Sequence, residues 1–186
     1  MISKDYSSIT PELKKISEKC LDNYNIDSEL YTKYDVKKGL RDINGKGVLA
    51  GLTKISSVSA TKTLPDGRTV PAPGELRYRG INIKDLVGGF LKDNRFGFEE
   101  TIYLLITGRL PDESELKEFK NIISDYMQLP NSFTRDIIMK SPSGNMMNTL
   151  SKSVLAFYSN DDKADDISIP NVLRQCLQLI SLFPVF

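Results

Sequence analysis

The sequence predicts a mainly helical protein, all-α apart from one small β-hairpin meander near residues 47–79. Two observations carry this. Over most of the chain, apolar residues recur every three or four positions, the period of a helix with one buried face. Only between Gly45 and Gly80 does the texture change, where Gly, Pro, Ser, Thr and Val replace the long side chains that favour helix. Composition agrees: at 186 residues, with 40% hydrophobic and 26% charged residues, the chain can bury a core and is too apolar for a disordered polymer.

The elements follow in order, with boundaries at a helical leader (1–36), a glycine-rich turn with β-hairpins (37–80) and a helical region (81–186). Thr10-Pro11-Glu12 starts a helix, since a hydroxyl can cap it, proline is tolerated in its first turn and an acid suits its positive end. Ile9, Leu13, Ile16, Cys20 and Tyr24 then form its apolar face. A weakly marked helical turn follows over 27–34. Pro65-Asp66-Gly67 turns the chain between "SATKTL" and "RTVPAP". Pro73-Gly74 is read as ending that excursion before "ELRYRG" returns as a short strand.

Beyond Gly80 the pattern is helical. Asn82 caps a helix carrying Ile83, Leu86, Val87, Phe90 and Leu91; another begins at Phe98, carries Ile102, Leu105 and Ile106, and stops at Gly108. Asp112 and Glu115 have the spacing of a capping box, ahead of Leu116, Phe119, Ile122, Ile123 and Tyr126. Shorter helices are expected over 133–139 and from Asn145 through Met147, Leu150, Val154 and Phe157, with Met146 and Met147 facing the core. Polar "SNDDKADDIS" is a surface loop. A last helix starts near Ser168, has Pro170 in its first turn and lines up Leu173, Cys176, Leu177 and Ile180. The apolar ending "LISLFPVF" reads as an interrupted core, so the helical region is expected to be truncated.

Composition narrows the chemistry. Twenty-five Lys and Arg against 24 Asp and Glu leave +1, which supplies no broad field for nucleic acid or an anionic membrane. "MISKDYSSITPEL" lacks the apolar run of a secretory signal, so a cytoplasmic location is expected. Cys20 and Cys176 match no metal or redox spacing and read as reduced core thiols. There is no histidine, which removes the usual near-neutral acid or base, any His-based triad and the commonest metal ligand. No metal site is expected.

"GLRDINGKGVLAGLT", residues 39–53, invites comparison with a phosphate-binding loop. A dinucleotide fingerprint needs G-x-G-x-x-G between a buried strand and a helix, so that backbone N–H groups meet the pyrophosphate. Gly45, Gly47 and Gly51 are spaced one residue too widely, "DVKKGLRDI" makes no buried strand, and strand-like residues follow. Lys46 is not followed by the Ser or Thr of a Walker loop. The glycines read instead as turns leading into the hairpins.

Three stretches in this order, "GLRDINGKGVLAGLTKIS", "GELRYRGINIKDLV" and "FGFEETIYLLITGRLPDESELKEF", resemble the N-terminal part of citrate synthase, of the type common in anaerobic bacteria. "SGNMMNTLSKSVLAFYS" and "DISIPNVLRQCLQLISLFP" resemble the next helices of that family. The resemblance implies part of a large helical domain from a homodimer. It implies an acyltransferase of the tricarboxylic acid cycle that condenses acetyl-CoA with oxaloacetate, acetyl-CoA being a substrate and no cofactor being held permanently. The family's catalytic aspartate and histidines match no position here, so no catalytic residue is assigned and the chain alone is expected to be inactive. The arginine of "GLRD" lies at a family position near the CoA phosphates, which makes Arg41 the candidate coenzyme contact, the alternative being a salt bridge to a neighbour such as Asp42. Arg79 of "YRG" is expected in a structural ion pair, and Tyr78 is expected to pack. Asn145, Met146 and Met147 stand where many members carry His-Pro-Met, a difference that bears on subgroup. A 2-methylcitrate synthase fragment and a non-catalytic helical interaction module are the alternative readings.

Overall fold

The computed structural model describes residues 8–21, 23, 25–37, 39, 48–49 and 51–186. In chain order the elements are α1 (Pro11–Leu21), α2 (Glu29–Lys33), β1 (Ser56–Thr63), β2 (Thr69–Tyr78), β3 (Ile81–Asn82), α3 (Ile83–Lys92), α4 (Phe98–Thr107), α5 (Glu113–Tyr126), a π-helix (Thr134–Met139), α6 (Met146–Tyr158) and α7 (Ile169–Leu182). The mainly helical class with one small sheet is therefore what forms. The chain divides into two compact units, Met1–Lys19 with Asp112–Phe186, and Cys20–Pro111.

In the first unit, Thr10 Oγ1 accepts from Leu13 N at 3.2 Å, the bond that starts α1, and Leu13 and Ile16 are buried. The capping box of α5 is complete: Asp112 Oδ1 accepts from Glu115 N at 2.8 Å, and Glu115 Oε2 accepts from Asp112 N at 3.2 Å. Glu115 also receives Lys19 Nζ at 2.5 Å, so one carboxylate both caps α5 and ties it to α1. Phe119, Ile122 and Ile123 form the buried face of α5. A second apolar cluster joins Phe133, Phe157 and Leu182, with the Phe133 and Phe157 rings edge to face at 6.2 Å.

Four expectations are corrected in this unit. Residues 134–139 wind as a π-helix, with Lys140 N donating to Arg135 O five residues back at 3.2 Å. Met146 and Met147 are 77% and 69% exposed, because the buried side of α6 is set by Ser153 and Phe157. Cys176 is exposed, since α7 turns Leu173, Leu177 and the polar Asn171, Arg174, Gln178 and Ser181 inward instead. The terminal apolar run is partly covered: the Phe186 ring stacks on Phe133 at 5.6 Å between centroids, while Phe183 and Val185 remain exposed.

In the second unit the strands pair antiparallel in the order β1-β2-β3. Leu64 N donates to Arg68 O at 2.8 Å around the Pro65-Asp66-Gly67 turn, and Gly67 holds φ +81°, open to glycine at little cost. β2 runs unbroken through Pro73-Gly74, so the expected interruption becomes an irregularity within one strand. The register steps from Ser59↔Glu75 to Thr61↔Pro71, setting Ala72, Pro73 and Gly74 against Ala60. Proline survives there because a bulge needs no ladder donor. Asn82 Oδ1 accepts from Lys84 N at 2.9 Å to start α3, and α4 ends at Gly108 with φ +85°.

Candidate functional site

Arg41, the candidate coenzyme contact, lies outside the described residues. The described ends of its segment are joined, however, because Lys37 N donates to Leu49 O at 2.6 Å. The turns read at Gly45 and Gly47 lie outside the described residues as well, and residues 51–55 lead into β1.

Arg79 and Gly80 form the two-residue connection between β2 and β3, with φ of +48° and +84°. Positive φ at both central positions is the geometry whose twist suits a tight antiparallel hairpin, and it is unfavourable for arginine. Two side-chain bonds hold the arginine there: Nε and Nη2 both donate to Leu105 O, at 3.0 and 2.7 Å. Its backbone N donates to Ile55 O at 2.8 Å. The expected structural role of Arg79 is therefore real, but its partner is a carbonyl in the last turn of α4 rather than an acid. Tyr78 is half-buried beside it.

The densest polar centre is one the sequence reading missed. Arg174 of α7 has no exposed surface, and its guanidinium is surrounded. Nη2 reaches Asp161 Oδ1 and Oδ2 at 2.8 and 2.7 Å, Nη1 reaches Gln178 Oε1 at 2.8 Å, and Nε reaches Asn171 Oδ1 at 2.9 Å. Asn171 Nδ2 in turn donates to Lys163 O and Asp166 O, and Gln175 Nε2 to Ala164 O. One helix face at positions 171, 174, 175 and 178 thus holds the polar loop 159–168. With no accessible donor left to offer a ligand, this network positions backbone rather than reacting.

Backbone and hydroxyl hydrogen bonds hold Glu12 and Asp166 below the usual carboxylate range, as the Arg68 side chain does Asp66. A general base poised near neutrality would need the opposite shift. Burial pushes the Cys20 thiol up to about 11, against the pull of Arg79, which is the wrong direction for a nucleophile. Among the described residues no group of three or more His, Cys, Asp or Glu could hold a metal ion, and no helix is long and apolar enough to cross a membrane.

Comparison with known proteins agrees with the motifs. Residues 39–186 match the sequence profile of the family described as "Citrate synthase, C-terminal domain". The citrate synthase of Saccharolobus solfataricus is 32% identical over 114 residues, covering 61% of this chain and 28% of that protein. The citrate synthase of Synechocystis sp. is 28% identical over 145 residues, 74% of this chain and 32% of that protein. The 2-methylcitrate synthase 2 of Corynebacterium glutamicum is 35% identical over 98 residues, 53% of this chain and 20% of that protein. The chain therefore spans less than a third of the length of these relatives.

Proposed function

The chain belongs to the citrate synthase family, and from that premise we propose that it represents the N-terminal segment of an enzyme condensing oxaloacetate with acetyl-CoA to give citrate and CoA. The observation that carries this reading is the continuous family match from residue 39 to residue 186, through the hairpin, the "YRG" turn and the helices. Enol formation from a thioester needs a base to remove a proton and donors already placed where the negative charge develops. This chain has no histidine to serve as such a donor. The 186 residues by themselves are therefore inactive, and their part in the enzyme is to carry the helical scaffold and the Arg41 loop. Arg41 contacts a coenzyme phosphate there, a role suited to a planar cation with several donors.

Thiol release with oxaloacetate and acetyl-CoA tests the inactivity directly. The purified chain is expected to leave the baseline flat, and oxaloacetate-dependent release of CoA would overturn it. The relative named 2-methylcitrate synthase 2 motivates a parallel assay with propionyl-CoA. Activity there alone would move the reading to that enzyme. A chain that melts cooperatively yet gives no detectable CoA or acetyl-CoA binding by calorimetry would favour the helical interaction module.

A further inference from the structure

We draw no further inference here: the strongest candidate, the cleft that Val154, Phe157 and Leu179 line between α6, α7 and the 159–168 loop, carries nothing because Asp161 on its wall already accepts from Arg174, Gln175 and the main-chain N–H of Lys163, and nothing in the structure shows what covers its apolar side.

Discussion

The Arg174 guanidinium, wholly shielded from water, grips both oxygens of Asp161 through one nitrogen, at 2.8 and 2.7 Å. Asp161 sits at the start of the polar loop, and its side chain is 6% exposed, so each charge depends on the other for solvation.

Removing one partner should therefore cost far more than the pair contributes. Arg174→Met is expected to destabilise the chain by about 3–5 kcal/mol, because Asp161 is left as an uncompensated buried charge. Combining it with Asp161→Asn should recover part of that loss, since the orphaned group becomes neutral. Urea unfolding of the two single variants and the double variant measures the coupling; additive losses would mean the pair does not act as a unit.

This network also marks where sequence reading reached its limit. Helix starts were legible at Thr10, Asn82, Asp112 and Asn145 because a cap is a local matter between one side chain and an N–H two or three residues on. The buried face of α7 was not, since Asn171, Arg174 and Gln178 have helical spacing but are polar, and polar residues are ordinarily assigned to water. Cys176 was placed inside for the converse reason. Periodicity identifies a face, and only the tertiary partner, here the 159–168 loop, decides that a polar face is the buried one. For the candidate site, the motif around Arg41 was readable as family resemblance, while the carbonyl partner of Arg79 depends on α4, which is remote in sequence.

The two cysteines should separate cleanly in reactivity. Cys176 is exposed and Cys20 is partly buried with its thiol pushed up to about 11, chiefly by desolvation. At pH 8, alkylation is expected to be biphasic, the fast phase vanishing in Cys176→Ser. Stability follows from the same shift. The unfolded thiol ionises near about 8.5, whereas the folded one keeps its proton to about 11. Unfolding then releases a proton across that window, so the contribution from Cys20 is intact below it and is lost as pH rises through it. Cys20→Ala should flatten the decline between those values in a thermal-melt series, and an identical slope would refute the assignment.

The turn at Arg79 combines an unfavourable backbone with a side chain that holds it. Arg79→Ala keeps the positive φ but loses both bonds to Leu105 O, for an expected loss of about 1–3 kcal/mol. Arg79→Gly relieves the backbone while losing the same bonds, and should sit between wild type and Arg79→Ala. Guanidinium unfolding ranks the three; a glycine variant less stable than the alanine variant would show that strain plays no part.

Gly97 precedes α4 at an ordinary φ of −104°, so any L-residue could adopt its backbone. What excludes a side chain is the Phe90 ring, which a Cβ at Gly97 would overlap at Cδ2, Cε2 and Cγ. That ring is not free to leave cheaply, because the Arg95 guanidinium lies over it at 5.2 Å and is itself paired with Glu100 and Asp93. Gly97→Ala is expected to cost about 1–3 kcal/mol through overpacking. Phe90→Leu on the same background removes the edge of the ring that the new methyl meets, so the double variant should be more stable than the sum of the two single losses. Strict additivity in urea melts would place the requirement for glycine in the backbone rather than in the contact between α3 and the start of α4.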